Sequence, residues 1–130
     1  MKTLLPEGWP RPNGYANGIS ATGRTIYTAG IVGWDAQEDF VSNHMAGQFK
    51  QILRNIVDIL AVDHARPEHI VRLTCYVTSI EQYLASTAEI GAAYKAIIGP
   101  HYPAMALVEV VRLVEPMALI EIEATAVVPG

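Results

Sequence analysis

The middle of the chain contains Ile70-Val71-Arg72-Leu73-Thr74-Cys75-Tyr76-Val77, a stretch rich in β-branched side chains that predicts a β-strand. The residues before it have a different period, because apolar side chains recur there every third or fourth position. This spacing predicts an amphipathic helix that extends to about Leu60 and that Ser42 or Asn43 can cap. The apolar stripe of that helix consists of Met45, Phe49, Ile52, Ile56 and Ile59.

A second helix is predicted after this strand, over residues 80–98. It ends at Gly99-Pro100, because glycine suits the left-handed cap and proline cannot continue a helix. Two further strands, over residues 105–110 and 119–127, then complete the C-terminal part of the chain.

The N-terminal part is predicted to contain a hairpin. Residues 14–20 and Thr25–Ala29 form its two strands, and residues 21–24 form the turn, in which Gly23 can adopt a positive φ. Residues 30–41 contain glycines and acidic side chains without a helical period, so we expect a loop there.

The resulting order, β-β-α-β-α-β-β, predicts an α/β fold in a single domain over residues 1–130. Both helices are long enough to cover one face of a sheet of about five strands, which gives an α+β two-layer sandwich. Leu107-Val108 and Ile120-Ile122 indicate that the other face of the sheet is apolar and also covered. With both helices already used, a second subunit is the expected cover.

Composition excludes several classes of protein. Hydrophobic residues make up 51% and charged residues 17% of the chain, which is typical of a globular domain. The net charge of −4 leaves no basic stripe, so we expect no nucleic-acid partner. No apolar run approaches the roughly 20 residues of a membrane span, and the N-terminus lacks the apolar segment of a secretory signal. A single cysteine, Cys75, suits a reducing compartment, and we expect a cytoplasmic protein with no membrane partner.

No metal or cofactor site is predicted from the residue pattern. The four histidines are isolated and have no HExxH or C-x-x-C neighbour, so we interpret them as solvated loop or cap residues: His44, His64, His69 and His101. Cys75 lies inside a predicted strand, where cysteine behaves as a small hydrophobic residue. No glycine-rich phosphate loop is present.

Two linked stretches near the C-terminus are more specific. They are His101-Tyr102-Pro103-Ala104-Met105-Ala106-Leu107-Val108-Glu109-Val110-Val111-Arg112-Leu113 and Ile120-Glu121-Ile122-Glu123-Ala124-Thr125-Ala126-Val127. Earlier segments agree with them: Gly14-Tyr15-Ala16-Asn17-Gly18, Thr28-Ala29-Gly30 and residues 70–77. Together they resemble the RidA/YjgF family over essentially the whole chain.

The resemblance implies a fold like that of bacterial chorismate mutase. It also implies a homotrimer with its helices outside and with small-molecule clefts between subunits. Many members of the family hydrolyse reactive enamines or imines, such as 2-aminoacrylate, and release ammonia and a 2-oxo acid. No cofactor is implied.

Three positions match the family's functional residues. Tyr15 corresponds to a tyrosine of the cleft, and Glu121 to a glutamate thought to hold the attacking water. Gly30 corresponds to a glycine whose backbone N–H faces the substrate, and we include its neighbour Ala29 among the binding residues. From the residue pattern alone, each position has a simpler explanation: Tyr15 as a packing aromatic, Gly30 as a strand-end turn, and Glu121 as an ordinary strand residue.

Two positions depart from the family. Met105 stands where deaminating members have an arginine that makes a two-point contact with the substrate carboxylate, and methionine supplies neither charge nor donor. Gly91 stands where members often have a polar asparagine. Arg72 and Arg112 are candidates for a replacement cation. Trp34, in the loop after Gly30, either lines a larger apolar pocket or anchors its own loop.

These observations leave three hypotheses. The first is an imine or enamine deaminase with an altered substrate preference, which retains Glu121 and Tyr15. The second is a non-catalytic trimer that binds a small ligand in the same clefts, which the loss of polar groups at Met105 and Gly91 favours. The third, an RNA-cleaving or translation-inhibiting role, is the least favoured because the chain is acidic and has no basic aromatic patch.

Overall fold

The computed structural model describes all 130 residues of the chain. Its strands and helices, in chain order, are β1 (Lys2–Thr3), β2 (Ile19–Ser20), β3 (Arg24–Tyr27), β4 (Ile31–Val32), α1 (Met45–Val62), β5 (Ile70–Val77), α2 (Ile80–Ala85), α3 (Thr87–Ile97), β6 (Ala104–Glu109) and β7 (Ile120–Val128). A short 3₁₀ turn at Pro67–His69 leads into β5.

The main sheet has the order β3-β7-β5-β6, and β4 also pairs with β7. β7 is antiparallel to β3, β4 and β5, whereas β5 and β6 are parallel. Parallel neighbours need a crossover connection, and α2 and α3 supply it between β5 and β6. This arrangement leaves β6 at one edge of the sheet.

The core lies between the helices and one face of the sheet. Alternate residues of β5 and β7 are buried, as expected for strands covered on one side. They pack with the apolar stripe of α1 in a single cluster whose largest members include Phe49, Ile52, Leu53, Ile56, Leu73 and Ile122. The predicted α/β two-layer fold is therefore confirmed.

The predicted N-terminal hairpin is wrong. Only Ile19–Ser20 of its first strand is extended, and it pairs with Lys2–Thr3 in a separate small sheet. The segment just before it is held elsewhere, because the Ala16 N–H donates to the Pro103 carbonyl at 2.9 Å beside the edge of β6. β3 pairs instead with the far end of β7. β2 and β3 are therefore neighbours in sequence but do not pair, because each forms its backbone hydrogen bonds with a strand that is distant along the chain.

The predicted loop at residues 30–41 contains a strand, β4. Tyr27 pairs with Thr125 and Ile31 pairs with Ile122, so three residues on one side span the gap that two residues span on β7. This extra residue is a β-bulge. It returns the chain to β7 after Thr28, Ala29 and Gly30 have left the regular ladder.

The helices also differ in detail from the prediction. The second helix is divided at Ser86 into α2 and α3, and the Ser79 hydroxyl caps α2 by accepting from the Gln82 N–H at 3.1 Å. Neither predicted cap serves α1, which begins after His44; the Ser42 hydroxyl accepts from the His44 N–H just before the helix. None of the helices has the length and apolarity that a bilayer crossing requires.

The face of the sheet that the helices leave uncovered, here called the open face, is mainly polar. It presents Thr74 and Tyr76 from β5 and Glu121 and Glu123 from β7, which are paired across the two strands. Ile120 and Ile122 are two residues apart and both point into the core, so this pair does not indicate an apolar far face. Val108 pairs with Tyr76, lies on the open face and is 45% exposed, so that part of the inference agrees with the structure. The expectation of a covering subunit therefore keeps only part of its premise and stays a prediction.

Candidate functional site

A cavity of about 550 Å³ lies between α3, the inner side of β6 and the segment that precedes β2. This volume falls within the range of about 300–1,000 Å³ that is usual for small-molecule sites. Three residues singled out in the sequence, Tyr15, Gly91 and Met105, line it. We call it the Met105 cavity.

Strand register and edge contacts bring these three residues together. Met105 pairs with Leu73, a core residue, so its side chain points to the helix side of the sheet and not to the open face. The hydrogen bond from Ala16 to Pro103 holds Tyr15 beside the start of β6. Gly91 faces the cavity from α3, and a Cβ placed on it would meet no atom within 4 Å.

Aromatic rings form much of the wall of this cavity. Tyr94 and Tyr102 stack with their ring centroids 5.4 Å apart, and the Tyr94 hydroxyl donates to the His101 carbonyl. Burial raises the pKa of Tyr83 and of Tyr94 above the usual value for a phenol. These side chains therefore remain neutral at ordinary pH and supply apolar area with a hydroxyl at one end.

Glu121 lies on the other side of the sheet. It is half-buried on the open face, opposite Tyr76, and its carboxylate lies directly over Gly30. A Cβ on Gly30 would approach this carboxylate more closely than real Cβ atoms do, so any other residue at this position would displace the carboxylate. We call Glu121, Gly30 and Ala29 the Glu121 cluster.

The bulge before β4 leaves backbone donors free in this cluster. Thr28 still bonds to β7, because its N–H donates to the Ala124 carbonyl and its hydroxyl accepts from the Ala124 N–H, both at 2.9 Å. The N–H groups of Ala29 and Gly30, by contrast, donate to no other group of the chain. A carboxylate beside free N–H donors can accept a proton from water while the donors stabilise a developing negative charge.

The Met105 cavity and the Glu121 cluster are separate within one chain. Met105 lies on β6 and Glu121 on β7, with β5 between them, so their backbones are about 10 Å apart across the strands alone. Their side chains also point to opposite faces of the sheet. One copy of the chain therefore presents two half-sites that do not meet.

Comparison with known proteins agrees with this fold and with these segments. A family model described as Endoribonuclease L-PSP matches residues 10–128. The chain belongs to the RidA/YjgF family. It is 32% identical to the 2-iminobutanoate/2-iminopropanoate deaminase of Escherichia coli K12 over 97% of both chains.

Two solved structures of the RidA/YjgF family are also similar. A Rid family protein of unknown function from Yersinia pestis, YyfB, matches with a TM-score of 0.83 and 32% identity over 98% of both chains. A member of the YjgF/YER057c/UK114 family from Mycobacterium tuberculosis matches with a TM-score of 0.67 and 30% identity over 88% of this chain and 87% of the other.

Trp34 lies outside the Met105 cavity in this RidA/YjgF member. Its ring packs edge-on against Phe40 at a centroid distance of 5.8 Å, and its carbonyl accepts from the Asn55 side chain at 2.8 Å. These contacts anchor the loop after β4, which was one of the two interpretations of this residue. Trp34 is therefore not among the residues that line the Met105 cavity.

Neither arginine considered as a replacement cation reaches the Met105 cavity. Arg72 pairs with Ala104 and with Thr125 and lines a small cleft near Glu123, while Arg112 lies in the loop between β6 and β7. The charged residue that does line the cavity is Lys95, which sequence reasoning missed. The spacing between Gly91 and Lys95 could have identified it, because Lys95 lies one helical turn after Gly91 and therefore on the same face of α3.

Two further titratable side chains, Cys75 and Tyr76, have structural explanations. Burial raises the pKa of the Cys75 thiol to about 12, so this core residue stays a neutral thiol and not a nucleophile. Tyr76 donates to Glu123 at 2.9 Å, and this bond is the main reason that the pKa of Tyr76 is raised. No group of three or more His, Cys, Asp or Glu side chains is placed to hold a metal ion.

Proposed function

We propose that the chain is an imine or enamine deaminase with an altered substrate preference. The observation that supports this most directly is the Glu121 cluster, in which a carboxylate lies over Gly30 beside two free backbone N–H groups. The similarity to a relative named 2-iminobutanoate/2-iminopropanoate deaminase gives the reaction type.

In the proposed reaction, Glu121 accepts a proton from a water molecule as the water oxygen bonds to the imine carbon. Glu121 returns this proton to the imine nitrogen, which gives a carbinolamine. Glu121 then moves a proton from the carbinolamine hydroxyl to the nitrogen, so that the carbonyl forms as the carbon–nitrogen bond breaks and ammonia leaves. One 2-imino acid and one water become one 2-oxo acid and one ammonia, with no oxidant or reductant. The Ala29 and Gly30 N–H groups and the Tyr15 hydroxyl are the donors for charge that develops on the way.

We further propose that the site is completed between subunits of a homotrimer. The Glu121 cluster of one subunit would meet the Met105 cavity of the next, because the two cannot meet within one chain. A contact between two different surfaces closes into a ring when the rotation allows it, and a trimer is such a ring. The main argument for a second subunit is therefore the separation of the two half-sites, and no longer the apolar far face that the sequence indicated.

Ammonia release from imines tests the function. Imines are generated in situ by an amino-acid oxidase from a panel of amino acids, and ammonia and 2-oxo acid are measured with and without the protein. The wild type should accelerate release, and Glu121→Gln should remove the acceleration. Glu123→Gln is the matched control, because Glu123 lies on the same strand and face and glutamine can still accept from Tyr76.

The same panel decides the alternative function. Met105 and Gly91 both lack the polar groups expected at their positions, which favours a non-catalytic trimer that binds a small apolar ligand. Such a protein would bind 2-oxo acids or similar molecules and accelerate no imine hydrolysis. Loss of activity in Glu121→Gln with full activity in Glu123→Gln excludes that alternative.

A further inference from the structure

The Met105 cavity is lined by one basic side chain, that of Lys95. Its other polar lining groups are amide, hydroxyl and phenol groups, and burial keeps the phenols of Tyr83 and Tyr94 neutral. Lys95 forms neither of the chain's salt bridges, which join Arg24 to Asp63 and Arg66 to Glu68. Its charge is therefore available to a ligand.

The path from Lys95 into the cavity is open. Lys95 lies one turn after Gly91 on α3, so the two residues face the same way. No side chain stands at Gly91, and the space in front of it is empty to 4 Å. A lysine stem is long and flexible, and it can bring its ammonium over this gap towards Met105 while its methylene groups lie on apolar surface.

Most of the remaining wall is apolar. Phe49, Ile90, Met105 and Leu107 contribute hydrocarbon and thioether surface, and Tyr83 contributes a ring. The cavity volume of about 550 Å³ is far more than a three-carbon acid fills. A cavity with a single cation and a large apolar wall matches a ligand with one anionic end and a bulky apolar end.

Resting on the function proposed above, we propose that Lys95 binds the substrate carboxylate and that the preferred substrates are 2-imino acids with bulky apolar or aromatic side chains. Lys95 acts as a point charge and donates from one ammonium, in contrast to the two-point fork of an arginine. The reaction is the same hydrolysis, and its product is a 2-oxo acid with the same bulky side chain.

The first arm of the test measures binding without turnover. Isothermal titration uses the product-like ligand 4-methyl-2-oxopentanoate, its uncharged amide and pyruvate. The wild type should bind 4-methyl-2-oxopentanoate more tightly than either of the others. Lys95→Gln should weaken its binding about tenfold or more, since a hydrogen bond to a charged group is lost. Lys50→Gln is the matched control, because Lys50 is an exposed lysine on α1 that does not line the cavity.

The second arm measures ammonia release from leucine-derived and alanine-derived imines. The wild type should have the higher kcat/KM for the leucine-derived imine. Lys95→Gln should raise KM for this substrate about tenfold with a smaller effect on kcat. Lys95→Arg should have a KM between those of the wild type and Lys95→Gln.

The two arms separate this proposal from the proposed function. If Lys95→Gln and Lys50→Gln bind 4-methyl-2-oxopentanoate equally well, the assignment of Lys95 is overturned even where ammonia is released. If no imine is hydrolysed but binding of the oxo acid still depends on Lys95, the ligand class stands and the deaminase function falls. Equal binding of pyruvate and 4-methyl-2-oxopentanoate overturns the preference for bulky side chains.

Discussion

The two half-sites differ in how closely they keep what the family resemblance implies. The Glu121 cluster has the carboxylate and the glycine that the resemblance implies, and a side chain at Gly30 would displace the carboxylate from its present position. The Met105 cavity has Met105 and Gly91 where the resemblance implies an arginine and an asparagine, and it has open space at Gly91. This difference agrees with the proposed function, in which Glu121 keeps its hydrolytic role and the Met105 cavity recognises an altered substrate.

The largest expected effect is a loss of kcat on substitution in the Glu121 cluster. Gly30→Ala places a methyl group against the Glu121 carboxylate and must displace it. A displacement of about 1 Å at a reacting group can lower a rate about a hundredfold, so kcat for ammonia release should fall by about that factor. Gly18→Ala is the control, because Gly18 does not line the Met105 cavity and its Cβ would make only an ordinary contact with Leu4, so this variant should keep its kcat. Wild-type kcat in Gly30→Ala would mean that the position of Glu121 is not critical.

A smaller effect, a gain of activity on 2-iminopropionate, is expected on substitution in the Met105 cavity. Met105→Arg introduces a guanidinium on the cavity side of β6, where it can bind a carboxylate through two donors. We expect kcat/KM for 2-iminopropionate to rise about tenfold or more. Adding Glu121→Gln to this variant should abolish the gain without loss of folded protein. If the wild type already hydrolyses 2-iminopropionate as fast as Met105→Arg, a small carboxylate does not need the arginine here.

Strand β5 lies between Met105 on β6 and Glu121 on β7 and carries the buried residue Cys75. The pH dependence of unfolding tests how fully this thiol is removed from water. The pKa of its thiol is raised from 9.0 to about 12, so the folded protein keeps a proton that the unfolded chain releases above pH 9. The contribution of this thiol to stability is therefore constant below pH 9 and decreases by about 1.4 kcal/mol per pH unit between about pH 9 and about pH 12. Urea unfolding at one protein concentration, at about pH 8 and about pH 10.5, measures this slope.

Cys75→Ala supplies the comparison for that slope. The variant loses stability at all pH values through the lost packing, but its further decline above pH 9 should be shallower than that of the wild type. The tyrosines with raised pKa are present in both proteins, and the larger causes of their shifts, burial and the bond from Tyr76 to Glu123, do not involve Cys75, so most of their contribution cancels in the difference. Parallel slopes would indicate that the thiol is solvated.

The smallest effect concerns the open space at Gly91. Glycine inside a helix is less favourable than alanine by about 0.5–1 kcal/mol, and a Cβ at this position meets nothing within 4 Å. Gly91→Ala should therefore stabilise the protein by about that amount and raise Tm by a few degrees, measured by thermal unfolding. A lower Tm would show that another group packs against Gly91.

Most of the fold followed from local patterns. The apolar stripe of α1 and the β-branched run at residues 70–77 predicted their elements to within a few residues, because the period of buried positions is a local property. The same patterns misplaced residues 14–20, since the choice of partner strand depends on hydrogen bonds such as that from Ala16 to Pro103. Ser86 divides the second helix, although the apolar period continues across it.

The sequence by itself determined the order of the main elements, the resemblance to the RidA/YjgF family and the two departures at Met105 and Gly91. Only the tertiary structure decided that Met105 and Glu121 lie on opposite faces, that a bulge frees the N–H groups of Ala29 and Gly30, and that Lys95 borders the cavity. The physical reason is range. Period and propensity depend on neighbours along the chain, whereas facing and exposure depend on strand register between residues that are far apart in sequence.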